Sequence, residues 1–107
     1  MRILLDECVP RPVRRELPSY DVRTAADMGW AGKTNGELIA LVASEGFDVF
    51  LTVDQNLRFQ QNLRAAQVTV IVLFPRTNRL VDITPLMPKV VIALESIRRG
   101  EIAEIRA

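Results

Sequence analysis

Two aspartates each end an apolar stretch, and their positions predict a site for a divalent cation. Asp6 ends the stretch ILLD and Asp54 ends the stretch FLTVD. If both stretches are neighbouring parallel strands, the two carboxylates converge at the edge where open α/β sheets bind ligands. Carboxylates that lie close together repel one another unless a cation or a shared proton offsets their charge, and a divalent cation is the simplest solution. The alternative is that each aspartate caps the helix that follows it.

Three more polar residues are candidates for the same site. Glu37 ends the stretch TNGE, which also matches a capping box, a Thr followed three residues later by Glu. Asn35 is either an oxygen ligand or a turn residue, and Asn56 either faces the site or caps a helix. Glu7 is expected to point away from Asp6 if the strand continues, because successive side chains alternate.

The chain has no histidine and one cysteine, which excludes several classes of site. Ser-His-Asp and Cys-His catalysis and zinc sites built from His or Cys clusters all need residues that are missing. The remaining oxygen ligands suit Mg²⁺ or Mn²⁺. A lone Cys8 fits a reducing compartment. Since we find neither a signal peptide nor an apolar run that could span a bilayer, we expect a cytoplasmic protein with no membrane partner.

The basic residues are spread unevenly along the chain. The formal net charge is only +1, so bulk charge does not predict nucleic-acid binding. Arginines nevertheless follow both carboxylate-bearing stretches, where they would suit a polyphosphate backbone. The alternative is an ordinary solvated helix face. The candidate nucleic-acid-binding residues are Arg11, Arg14, Arg58 and Arg64.

The elements that must position these residues alternate between apolar strands and helical patterns. We predict strands at 2–5, 20–24, 48–53 and 68–73, and a further edge strand at 101–106. Helices are predicted between 10 and 17, 37 and 46, and 89 and 100. This alternation predicts one α/β domain over residues 1–107, with a central, mostly parallel sheet of four to five strands flanked by helices.

Three stretches together resemble PIN-like proteins: ILLDECVPRPVRREL, DVRTAADMGWAGKTNGELIALVASEGFDVFLTVDQNL and VTVIVL. The resemblance covers roughly the first 75 residues. In particular, these stretches resemble a compact bacterial group of domains related to the Mut7-C ribonuclease type and to VapC-type toxins. The resemblance implies a three-layer PIN-like fold.

The resemblance also implies a ribonuclease whose acidic residues hold Mg²⁺ or Mn²⁺ and activate water for RNA cleavage. Asp6 and Asp54 match the strand-end acids of such enzymes. Asn35 falls at a helix start that more often carries Asp, and Asn56 falls at another position that is often acidic. Glu37, close to Asn35, is then the third catalytic candidate. The implied partners are RNA and a cognate antitoxin protein. The resemblance leaves the oligomeric state undecided, with a homodimer as one alternative.

Two alternatives to a nuclease remain. The Asp6 and Asp54 pair favours the nuclease, whereas Asn35 and Asn56 favour a non-catalytic PIN-like module that binds RNA or protein through a degenerate metal site. A phosphoacceptor domain of similar shape also places Asp at strand ends. Such a domain typically has a Lys after a later strand, whereas this chain has Arg76 at that position.

Overall fold

A computed structural model describes residues 1–59 and 67–107, with the backbone alone at 58 and 59. These residues form a five-stranded, entirely parallel sheet in the order β2-β1-β3-β4-β5. The strands are β1 (Arg2–Leu5), β2 (Asp21–Thr24), β3 (Val49–Thr52), β4 (Thr69–Phe74) and β5 (Ile102–Arg106). The predicted α/β class is therefore confirmed, and the C-terminal stretch is the predicted edge strand.

Short helices connect the strands. The α-helices of the described part are α1 (Asn35–Ser44), α2 (Leu80–Ile83) and α3 (Met87–Ser96), and the 3₁₀ helices are Arg11–Glu16, Gln55–Phe59 and Thr84–Leu86. The last α-helix was predicted to continue to Gly100, but it ends at Ser96. Ile97 is already extended, with φ −66° and ψ 139°. Gly100 instead adopts φ 84° in the turn before β5, a left-handed conformation that favours glycine.

Apolar side chains cover both faces of the sheet, so the domain has three layers. On one face, Ile3 and Leu5 belong to a buried cluster that includes Val90 of α3. On the other, Leu4 belongs to a cluster that includes Leu38 of α1. A parallel sheet covered on both faces needs near-continuous apolar strands, which is why alternation is weak in this sequence.

The central pair of strands sets the position of the site. β1 and β3 are parallel neighbours, with Leu5 opposite Leu51. The backbone N–H of Asp6 continues this ladder with a 3.0 Å hydrogen bond to the Leu51 carbonyl. The carboxyl ends of the two strands therefore lie side by side, as predicted. Within residues 1–59 and 67–107, no helix is long and apolar enough to cross a bilayer.

Candidate functional site

Asp6 is a buried carboxylate held by three donors. Its residue is only 6% exposed. Oδ2 accepts hydrogen bonds from the Thr52 hydroxyl at 2.7 Å and from the Cys8 thiol at 3.4 Å. Oδ1 accepts the backbone N–H of Glu7 at 2.8 Å. Because donors from two segments of chain converge on it, the carboxylate is fixed in one orientation at the end of β1.

Thr52 connects this carboxylate to the second one. Its side chain is fully buried, and besides donating to Asp6 its Oγ1 accepts the backbone N–H of Asp54 at 2.9 Å. Asp54 in turn accepts the backbone N–H of Asn56 through Oδ1 at 3.0 Å. Asp54 therefore also has the capping role that we considered as the alternative, at the start of the 3₁₀ helix Gln55–Phe59.

Asn35, the first residue of α1, reaches the same place. Its side-chain amide donates a hydrogen bond to Oδ2 of Asp54. A cleft of about 520 Å³ at the carboxyl edge of the sheet is lined by Asp6, Asn35 and Asp54 together. Three of the predicted site residues are thus brought together by β1, β3 and the start of α1.

The cleft also has side chains that the sequence did not predict as part of it: Glu7, Cys8, Lys33 and Asn78. Glu7 was expected on the opposite side, but β1 ends at Leu5 and a turn follows, so the alternation rule does not apply to it. Its carboxylate accepts the backbone N–H of Gly32 from the facing loop. Nothing in the sequence indicated that the loop before α1 and the segment after β4 would meet there.

Glu37 and Asn56 are not among the residues that line the cleft. Glu37 completes the capping box of α1: Oε1 accepts the Thr34 N–H at 3.0 Å, and its own N–H donates to Thr34 Oγ1 at 3.2 Å. Hydrogen bonds to this carboxylate from the backbone and the side chain of Thr34 hold the pKa of the Glu37 carboxyl below its usual value. Asn56 is exposed and contributes its backbone N–H rather than its side chain.

Cys8 is a donor rather than a nucleophile at neutral pH. Burial raises the pKa of its thiol, and the nearby negative charge of Asp6 raises it further, against opposing hydrogen bonds from Val53 and Thr52. The protonated thiol is the form that donates to Asp6. A thiolate would be needed for nucleophilic attack or for strong metal binding.

Two of the predicted arginines, Arg11 and Arg14, lie close to Asp27, an acid that follows β2. Arg11 forms a 2.9 Å ion pair with Oδ1 of Asp27, and Arg14 lies 3.9 Å from its Oδ2. Both guanidinium groups remain substantially exposed. Asp27 also accepts the backbone N–H of Thr24 at 3.0 Å. This hydrogen bond and the two arginines hold the pKa of the Asp27 carboxyl below its ordinary value.

The other two arginines are less defined. The side chain of Arg58 and the whole of Arg64 lie outside the described residues. Their predicted role in binding nucleic acid therefore stays a prediction.

The donors in the cleft fit a hard cation that keeps most of its water. Mg²⁺ is usually bound through one or two carboxylates, and Asp6, Asp54 and Asn35 supply two carboxylates and an amide. In the described part of the chain, no group of three or more His, Cys, Asp or Glu side chains is arranged to hold a metal ion. These residues therefore do not form a site in which protein side chains supply all the ligands of a metal ion.

Comparison with known proteins identifies no relative. No family model matches the sequence, and neither a curated protein nor a solved structure is significantly similar to it.

Proposed function

We propose that this protein is a Mg²⁺- or Mn²⁺-dependent ribonuclease of PIN-like type whose centre is the pair Asp6 and Asp54. The observation that carries the proposal is their common position: both follow adjacent parallel strands, both line one cleft, and one buried hydroxyl, that of Thr52, contacts both residues. A pair of acids at this edge of an α/β sheet has the chemistry of a cation site, and an exposed cleft admits a polymer.

In this proposal, Asp6 and Asp54 would hold the cation, and Asn35 would add an oxygen through its amide or through a water molecule. A bound Mg²⁺ or Mn²⁺ supplies a Lewis acid that makes water a better nucleophile and offsets charge on a phosphodiester. The protein's own contribution is orientation. Thr52 and the Glu7 N–H keep the Asp6 carboxylate from rotating, so no rearrangement is needed when substrate arrives.

RNA is the proposed substrate and partner because the resemblance to PIN-like proteins points to it. The proposals of a cognate antitoxin partner and of a homodimer rest on that resemblance alone. The cytoplasm is the proposed location because a free cysteine, Cys8, is compatible with a reducing compartment.

A specific observation favours a second candidate, a PIN-like module that binds RNA or protein without cleaving it. The Asn35 amide donates to Asp54, so a neutral donor occupies a position where a third carboxylate would strengthen a cation site. An amide can ligate a cation but cannot act as a general base. Both candidate functions use the same cleft, but only the nuclease cleaves RNA.

The experiment is a cleavage assay with end-labelled single-stranded RNA in Mn²⁺, in Mg²⁺ and in EDTA. The nuclease requires cleavage that depends on the cation and disappears in Asp54→Asn. Binding of the RNA by the wild-type protein with no cleavage in either metal would select the non-catalytic module. Cleavage that persists equally in EDTA would contradict the proposed chemistry.

A further inference from the structure

Lys33 is the one cationic side chain among the described residues that line the cleft. It shares this cleft with Asp6 and Asp54, and it is exposed. In the part of the chain that the structure describes, its ammonium has no hydrogen bond or ion pair within 4 Å. Its charge acts on Glu37, but the low pKa of that carboxyl is caused first by the hydrogen bonds from Thr34. In the described part of the chain, the Lys33 ammonium therefore has no hydrogen-bonded or ion-paired partner that the fold would lose.

The loop that carries Lys33 is anchored at the residue itself and immediately before it. The backbone N–H of Gly32 donates to the Glu7 carboxylate across the cleft. The N–H of Lys33 itself donates to the Trp30 carbonyl at 3.3 Å, and the Trp30 ring packs edge-on against Phe47 with centroids 5.9 Å apart. The backbone of Lys33 is thus fixed beside the two acids, and the long side chain starts from a defined point.

We infer that Lys33 contacts a phosphate of the RNA strand that occupies the cleft, and so positions the scissile linkage against the Asp6 and Asp54 centre. This inference rests on the proposed function. An ammonium on a flexible four-carbon stem acts on phosphate as a strongly hydrated point charge. Such a contact positions the backbone and carries no preference for sequence.

The position of Lys33 has a consequence that a purely structural role would not have. A positive charge beside two carboxylates attracts a phosphate and repels a divalent cation. Neutralising Lys33 should therefore weaken RNA binding and strengthen Mn²⁺ binding in the same protein. A surface lysine unrelated to the site would change neither.

The experiment compares wild type with Lys33→Met, Lys33→Arg and Lys89→Met. Lys89 is the other lysine of the chain, and it lies outside the cleft, where its Nζ donates to the Arg106 carbonyl at 2.9 Å. The matched control thus makes the same change of residue and of net charge. Fluorescence anisotropy of a short labelled single-stranded RNA is measured against salt, in EDTA, and Mn²⁺ affinity is measured separately by calorimetry.

For Lys33→Met we expect the slope of log K against log salt to fall by about 0.7, the value for one phosphate contact on a single strand. Mn²⁺ should bind about two- to fivefold tighter, as expected for removing one nearby charge in a solvated site. Lys33→Arg should retain most of the wild-type slope, and Lys89→Met should match wild type in both measurements.

An unchanged RNA slope in Lys33→Met would overturn the inference, even if Mn²⁺ binds as proposed. Equal losses of slope in Lys33→Met and Lys89→Met would also overturn it, because the effect would then come from net charge. Absence of Mn²⁺ binding in wild type would contradict the proposed nuclease. A reduced slope specific to Lys33→Met in EDTA would still support the phosphate contact in that case.

Discussion

The hydroxyl of Thr52 donates a 2.7 Å hydrogen bond to Oδ2 of Asp6, and this contact joins the ends of two neighbouring strands. The same oxygen accepts the backbone N–H of Asp54 at 2.9 Å. Since Thr52 is fully buried, water cannot replace either hydrogen bond. One side chain therefore fixes the carboxylate of the first acid and the backbone of the second.

Removing the Thr52 hydroxyl should destabilise the protein. Thr52→Val keeps the shape and β-branching of the side chain but leaves a buried carboxylate oxygen and a backbone N–H each without one partner. We expect a loss of about 1–3 kcal/mol in the free energy of unfolding, measured by urea denaturation. Thr52→Ser retains the hydroxyl and should lose less. If Thr52→Val had the same free energy of unfolding as wild type, the hydrogen bonds of the Thr52 hydroxyl would not contribute to stability.

The sequence was sufficient to predict the fold because strands and turns carried consistent local signals. Runs such as residues 3–5 and 70–73 are apolar on both faces, as the centre of a parallel sheet requires. The convergence of Asp6 and Asp54 followed from that topology. The end of α3 was misplaced because the signal used, Gly100, belongs to the turn before β5 rather than to the helix.

The rest of the cleft could not be predicted, because it depends on contacts between segments that are distant in sequence. Lys33 and Asn78 come from the loop before α1 and the segment after β4, and no pattern links the two. Thr52 could have been found. It stands opposite Asp6 if the ladder pairing Leu4 with Phe50 is extended by two residues, and a hydroxyl in a fully buried strand needs a partner.

Replacing the amide at position 35 with a carboxylate should convert a weak cation site into a stronger one. Asn35→Asp removes the donor to Asp54 and places like charges together, so the melting temperature should fall in EDTA. Mn²⁺ should then bind about tenfold tighter and restore the melting temperature, because the ion binds only the folded state. The measurement is a thermal melt with and without Mn²⁺.

Asn56→Asp is the matched control for this change. Asn56 is exposed and does not line the cleft, so the same change of charge should leave Mn²⁺ affinity near the wild-type value. Equal tightening in both variants would mean that net charge, rather than position in the cleft, governs binding.

Stability should depend on pH in the acid range through Asp27. The pKa of its carboxyl is lowered in the folded state by the Thr24 N–H and by Arg11 and Arg14. Its contribution is therefore fully present above the unfolded-state pKa of about 3.9 and is lost as pH falls through the lower folded-state value. Asp27→Asn should flatten this part of the curve of unfolding free energy against pH. An unaltered curve would show that the contacts of Asp27 do not favour its charged form.

Arg11 and Arg14 should contribute to RNA binding only in part, because each is already near Asp27. If either contacts a phosphate, its Ala variant should lower the salt slope for single-stranded RNA by about 0.7. In the Asp27→Asn background the two guanidinium groups lose that partner, so RNA affinity should rise. Salt slopes that match wild type in both Ala variants would indicate an ordinary solvated surface.

The charge of Asp6 has two opposing effects on the stability of the metal-free protein. Like-charge repulsion alone predicts that Asp6→Asn stabilises the metal-free protein. The hydrogen bonds predict the reverse, because both carboxylate oxygens accept from donors and an amide nitrogen would face one of them. We expect the hydrogen bonds to dominate at a residue that is 6% exposed, so Asp6→Asn should be less stable in EDTA.

Calorimetric titration of Mn²⁺ into wild type, Asp6→Asn and Asp48→Asn tests the central claim most directly. Asp48 precedes β3 at the opposite end of the parallel strands, where it accepts the Arg2 N–H at 2.7 Å, so it controls for loss of an acid at the other end of the same sheet. Circular dichroism establishes that each variant is folded at the temperature used. We predict one Mn²⁺ site in wild type and in Asp48→Asn, and no measurable binding in folded Asp6→Asn. Unchanged Mn²⁺ affinity in folded Asp6→Asn would contradict the paired-carboxylate centre and leave both strand-end aspartates as structural residues.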